Sequence, residues 1–196
     1  MKKWLILALP AVFVALTMSG CGGGTQFKVN DAPDAASAPN ERLERDQAIY
    51  IAVPQDGAYK KKVYEGSGMQ AASALHGGLA QFASPITVGD QYEDQATALQ
   101  SAKAKKARYV FVPVITNWVH RIAALSGRAS GVSMTVSVFD LTRESGSQLV
   151  VQKNLRVKGR NSLAAQRPEE LLKMLCFQFA EEIYLGKKAQ EESADQ

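Results

Sequence analysis

Tyr109-Val110-Phe111-Val112-Pro113-Val114-Ile115-Thr116-Asn117-Trp118 and, fourteen residues on, Val132-Ser133-Met134-Thr135-Val136-Ser137-Val138 are the stretches that decide the fold. The first is almost continuously apolar, which suits a strand buried on both faces of a sheet. The second alternates apolar and polar residues, the period of a half-buried strand. Leu149, Val151, Leu155 and Val157 continue the theme on one face of a further strand, interrupted by Lys153, with Gln148, Gln152, Asn154 and Arg156 on the other. A loop with Ser126 to Gly131 and a turn over Asp140 to Ser147 link these three runs, which predict an antiparallel meander. Pro113 cannot donate to a sheet ladder, so the first run needs a bulge or a one-sided pairing there.

Upstream the pattern changes. Ala48 to Val53 is a β-type run bounded by Pro54 and the turn signal Asp56-Gly57. Met69, Ala72, Leu75, Leu79 and Phe82 recur at helical spacing and predict a helix over 67–82 with Ser67 as its cap, weakened by Gly77-Gly78. Ile86 to Val88 is a brief strand, and Asp94 caps a second helix reaching Lys106. Downstream, Pro168 opens a last helix whose stripe is Leu171, Leu172, Leu175, Phe179 and Ile183, closed by Gly186. The order β-α-β-α-β-β-β-α predicts an α/β domain: a single mixed sheet of about five strands with helices packed on it, the first three strands parallel.

At the amino terminus, Lys2 and Lys3 precede an apolar run from Trp4 to Met18. At fifteen residues it is short for a membrane span, which takes about 17–25, and it fits the core of an export signal. Met18-Ser19-Gly20-Cys21 then resembles a bacterial lipobox. The resemblance implies cleavage after Gly20 and a lipid on Cys21; no Asp follows Cys21, which implies an outer-membrane destination on the periplasmic face. The expected organisation is a signal peptide over 1–20, a lipidated Cys21 and flexible tether over 21–47, the α/β domain over 48–186 and a disordered tail over 187–196. The tether is rich in Gly, Ala, Pro, Asp and Asn, with a short charged helical stretch expected at Glu41 to Asp46.

The chain of 196 residues carries 23 basic and 19 acidic residues. Loss of Lys2 and Lys3 with the signal leaves 21 against 19, too even a balance for a phosphate-backbone binder. Two cysteines exclude a disulfide scaffold and a Cys-based zinc site, and two histidines leave little for a His-rich metal site. No metal or other cofactor is expected beyond the covalent lipid.

The core also resembles the lipoprotein family known as domain of unknown function 4823. The likeness rests on Pro54-Gln55-Asp56-Gly57-x-Tyr59, Gly66-Ser67-Gly68, Trp118-x-x-Arg121, Ser126-Gly127 and Pro168-x-x-Leu171-Leu172. It brings no activity with it. Acidic residues frequent in the family between the Trp and the Arg are replaced by Val119 and His120, so no carboxylate role carries over. A more distant likeness is to the fold of the amino-terminal domain of the Tol translocation protein, the curli secretion pore lipoprotein and the peptidoglycan-synthase activator lipoproteins, which implies a partner-binding module by fold analogy alone.

Two surfaces stand out as candidates. The loop Lys60, Lys61, Lys62, Gly66, Ser67 and Gly68 sits before a helix, where an anion or small ligand binds if backbone donors are free, though it matches no nucleotide fingerprint. Trp118, His120 and Arg121 form the second, with Trp118 suited either to the core or to an interface. Cys176, among apolar neighbours, fits a free core thiol or a disulfide between chains. Lys153, Arg156, Lys158 and Arg160 read as a solvated edge or a contact for anionic headgroups or glycan. No Ser/His/Asp or Cys/His spacing appears, so the expectation is an outer-membrane-anchored periplasmic module without catalysis, bound to the membrane by its lipid and to an envelope protein or component; the alternative is a small-ligand or anion-binding domain.

Overall fold

A computed structural model describes residues 26–31, 41–120, 130–143, 146–159 and 167–186. Strand β1 covers Gln26–Asp31, β2 Ile49–Val53, and a hairpin of two short strands follows, β3 (Ala58–Tyr59) and β4 (Lys62–Val63). Then come helix α1 (Ser67–Leu79), β5 (Ile86–Tyr92), α2 (Gln95–Ala104), β6 (Tyr109–Val119), β7 (Gly131–Asp140), β8 (Gln148–Lys158) and α3 (Pro168–Leu185). The main sheet runs β1-β8-β7-β6-β2-β5. Strand β2 pairs parallel to both β5 and β6, and β6, β7 and β8 form the antiparallel meander, as the sequence pattern requires.

The sheet has one strand more than the expected five. Gln26–Asp31, assigned to a tether on composition, pairs antiparallel with β8 over its whole length, Gln26 opposite Lys158 and Asp31 opposite Lys153. The segment Gln26-Phe27-Lys28-Val29 alternates polar and apolar residues, a strand signal masked by the Gly-, Ala- and Pro-rich sequence around it. Residues 41–47 are likewise part of the fold, and as an irregular strap rather than a helix. Leu43 is buried, and its N–H donates to the Ile183 carbonyl (3.0 Å), while Asp46 N–H reaches the Phe82 carbonyl (2.9 Å).

Pro113 fits by one-sided pairing. Strand β2 accompanies β6 only as far as Phe111, so Pro113 faces no partner on that side while pairing with Val136 on the other. A bulge follows between Ile115 and Asn117.

Helices α1 and α3 cover one face of the sheet over a core that includes Ile51, Leu75, Phe111, Met134, Leu155, Leu172 and Phe179. Phe111 meets Phe179 edge-on and Phe82 stacks on Tyr184. Helix α2 covers part of the other face through Ala98 and Ala102, against Tyr50, Ala52, Val110 and Val112. Beyond α2 that face carries polar pairs around exposed Val114, with Thr135 bonded to Asn154 (2.6 Å) and Gln152 to Ser137 (3.1 Å). Of the stripe expected for α1, Ala72, Leu75, Leu79 and Phe82 are buried but Met69 is 44% exposed; Ala71 and Gly78 are buried in addition.

The glycine pair of α1 has two different roles. A Cβ on Gly78 would stand 2.6 Å from the Cys176 carbonyl oxygen, so α1 and α3 touch backbone to backbone there. Gly77 faces open space. Lys153 also departs from expectation: it is 2% exposed and its ammonium meets Glu182 Oε1 of α3 at 2.8 Å. Because β1 lies outside β8, the basic stretch is not a free sheet edge.

At the end of the sheet where β2 begins, Asp140 is buried and accepts from the Thr142 N–H (2.9 Å) and hydroxyl (2.7 Å). Arg108 lies 3.6 Å away and Arg143 3.4 Å, and these pair onward with Glu44 and Glu41 of the strap. Burial raises the Asp140 carboxyl, but the Thr142 donors and the two guanidiniums outweigh it and hold it below the ordinary carboxylate range.

Gly78→Ala is expected to cost about 1–3 kcal/mol in urea denaturation through overpacking, while Gly77→Ala should gain about 0.5–1 kcal/mol by restricting the unfolded chain. Because the native Asp140 value is depressed, its contribution is complete above the unfolded carboxylate value of about 3.9 and is lost as pH falls through the lower native one. Asp140→Asn should therefore lower stability at neutral pH and flatten the acid limb of the stability–pH curve.

Candidate functional site

The parallel strands β2 and β5 end beside the start of α1, the position at which open α/β sheets commonly carry their sites. An open groove of about 690 Å³ lies there, lined among others by Pro54, Asp56, Val63, Met69, Tyr92 and Ile115. Three of these are large apolar side chains left in water: Val63 is 57% exposed, Met69 44% and Tyr92 57%.

The start of α1 is built from residues on the loop that leaves β2. Asp56 Oδ1 accepts from the Gly68 N–H (2.7 Å) and Oδ2 from the Gly66 N–H (3.0 Å). The residue preceding the helix is Gly66, at φ 78°, a left-handed conformation that favours glycine. Ser67 does not cap the helix; it is buried, and its hydroxyl accepts from the Gly57 N–H (2.8 Å). A Cβ on Gly68 would lie 2.2 Å from the Pro54 carbonyl oxygen, and one on Gly57 2.6 Å from the Trp118 Cβ. Asp56, Gly57, Ser67 and Gly68 thus lock the loop, the helix and β6 together. The carboxylate already occupies the place an external anion would take at this helix end.

Lys60, Lys61 and Lys62 are exposed at the β3–β4 turn. Lys60 Nζ lies 5.8 Å from the Tyr59 ring and Lys62 Nζ 4.8 Å from the Tyr64 ring, so aromatic faces steady two of the three cations. The backbone donors at Gly66 and Gly68 bond to Asp56. Trp118 is 3% exposed and belongs to the core. His120 is exposed beside it. Arg121 and Cys21 lie outside the described residues. Cys176 is fully buried, and burial pushes its thiol far above the ordinary range.

One polar cluster carried no sequence signal. Tyr50 donates to Glu93 Oε2 (2.7 Å) and Ser101 to Glu93 Oε1 (2.6 Å), joining β2 to α2. Burial and then the Glu93 hydrogen bond push the Tyr50 hydroxyl up to about 12, so it stays protonated and acts as a donor. Its members are 43 and 8 residues apart along the chain, which is why no local motif reveals them. Among the described residues no group of three or more His, Cys, Asp or Glu side chains is placed to hold a metal.

The fold is thus a mixed α/β domain with a sealed helix start under an open, partly apolar groove. The chain belongs to the family described as Domain of unknown function (DUF4823), which it matches over residues 41–183. No curated protein matches it. Among solved structures it is similar to the PelC dodecamer from Paraburkholderia phytofirmans, at 15% identity and a TM-score of 0.56, over 82% of this chain and 98% of that one. It is also similar to TolB from Acinetobacter baumannii, at 10% identity and a TM-score of 0.35, over 80% of this chain and 29% of that one. A lipoprotein from Neisseria meningitidis aligns at 13% identity and a TM-score of 0.37, over 66% of this chain and 92% of that one. At these identities the PelC likeness establishes the fold, and nothing of function follows from it.

Asp56→Ala is expected to destabilise by about 0.5–2 kcal/mol, the usual effect of losing a helix cap, and Asp56→Asn by less, since one acceptor remains. Both are read from urea unfolding curves. Gly68→Ala should exceed either, because its new methyl group meets backbone rather than a side chain that can turn away.

Proposed function

We propose that this protein is an outer-membrane-anchored periplasmic lipoprotein whose domain works by contact with other envelope components and performs no catalysis of its own. The observation that carries the reading is how the groove's reactive groups are engaged. Asp56 caps α1, Ser67 holds Gly57, and Trp118 packs in the core, which leaves exposed apolar and basic side chains as the features a partner would meet. Positive residues, a short apolar run and Ser19-Gly20-Cys21 supply the anchor. The similar PelC is a dodecamer, so association between copies is one form such contact takes in this fold. The anion-binding alternative is disfavoured because Gly66 and Gly68 N–H groups already bond to Asp56.

Labelling cells with palmitate tests the anchor directly. Wild-type protein should take up label and fractionate with outer membranes, and Cys21→Ala should lose both properties; equal labelling would refute it. Crosslinking in intact envelopes then tests for a protein partner, further copies of this chain included.

A further inference from the structure

The placement of β1 sets which end of the domain a lipid on Cys21 would hold. Strand β8 runs parallel to β6 and β2, because β6–β7 and β7–β8 are both antiparallel pairs. Strand β1 is antiparallel to β8 and therefore to β2. Its first residue, Gln26, lies opposite Lys158, which lies opposite Gly131, which lies opposite Val119. The amino-terminal start of β1 is thus at the same end of the sheet as the groove and the β3–β4 hairpin. It is three strand spacings from β6, about 14 Å.

Cys21 precedes Gln26 by five residues. Five residues reach at most about 17 Å when fully extended. Strand β6 alone has eleven residues and measures about 36 Å. A lipid on Cys21 does not span the length of the sheet, so the strap end, with Glu41, Glu44 and Gln81, is not the end tied to the bilayer. The groove end is kept beside it.

That end has the chemistry of a bilayer contact. Lys60, Lys61 and Lys62 stand exposed at the hairpin turn, and Val63 and Met69 expose apolar surface next to them. Within the same loop the carboxylates are Asp56, engaged with α1, and Glu65. Further along this end, exposed Lys158 and Arg167 stand with Glu169 and Glu170, and on the β5 side of the groove Asp90 and Asp94 are exposed while Glu93 is taken up by Tyr50 and Ser101. A cationic turn flanked by exposed apolar side chains suits a surface of phosphate headgroups over acyl chains.

We propose that the β3–β4 hairpin, through Lys60, Lys61, Lys62 and Val63 together with Met69, rests on the phospholipid headgroups of the leaflet that holds the Cys21 lipid. The proposal rests on the lipoprotein reading above and adds an orientation and a contact surface to it.

The test uses the full lipidated chain in vesicles of phosphatidylethanolamine and phosphatidylglycerol doped with a headgroup-quencher lipid. A fluorophore is placed at Glu65→Cys, beside the hairpin, or at Gln81→Cys, at the far end; buried Cys176 does not compete for the label. Quenching should be at least fivefold stronger at position 65. Equal quenching, or stronger quenching at position 81, would overturn the orientation. Adding Lys60→Glu, Lys61→Glu and Lys62→Glu to the Glu65→Cys chain should lower its quenching at least twofold, with the same amount of protein sedimenting with the vesicles. Unchanged quenching would overturn the hairpin contact. Mass spectrometry of the amino-terminal peptide separates the two levels. An unmodified Cys21 sinks the anchor and the proposal together, whereas a lipidated Cys21 with symmetric quenching sinks the orientation alone.

Discussion

The Asp56 carboxylate, set between the end of β2 and the first turn of α1, is the interaction on which the arrangement depends. It gives two otherwise unpaired helix donors a partner from a loop ten residues upstream, and so fixes where the helix starts. The missing side chains at Gly57 and Gly68 let that loop lie directly on Trp118 and let the helix lie directly on the Pro54 carbonyl. With its start fixed in this way, α1 meets α3 at Gly78 and Cys176, backbone against backbone. The two helices then bury Leu75, Leu172 and Phe179 against Phe111 and Met134 of the central strands. The quoted motif is therefore a device for joining strand to helix, and the helix position follows from it.

The opposite end is held by charge and by the strap. Glu41 and Glu44 reach Arg143 and Arg108, which share Asp140 between them. The strap backbone bonds to β8, α3 and the segment after α1 through Val150, Ile183 and Phe82. One buried pair, Lys153 with Glu182, ties β8 to α3 in the interior. An unpaired ammonium at that depth would be costly, so the pair also sets how α3 lies across the sheet.

Much of this was legible in the sequence. Alternation in 132–138 and the apolar run from Tyr109 identified the meander, and Asp94, Pro168 and Gly186 marked helix ends that the structure reproduces. Local patterns failed where the partner is distant in sequence. Ser67 has the residue type of a cap, but a carboxylate eleven residues upstream, Asp56, took the position. Lys153 interrupts an apolar face and looks solvated until Glu182 of α3 is placed beside it. Gln26–Asp31 is too short and too embedded in polar sequence to announce a strand; β8 supplies the pairing that makes it one. Of the candidate site residues, the lysines stand exposed where the loop reading put them. Trp118 was open between two roles, and its contact with Gly57 decides for the core.

Strand β1 also bears on where the folded unit begins. The family match starts at residue 41, yet the sheet edge that β1 covers belongs to β8, eleven residues long. A recombinant fragment cut at the family boundary would leave a row of β8 amide and carbonyl groups unpaired beside Arg156 and Lys158. Such an edge recruits strands from neighbouring molecules. The sheet therefore reaches back at least to Gln26, and self-association observed with a fragment begun later would report an exposed edge rather than a property of the native chain.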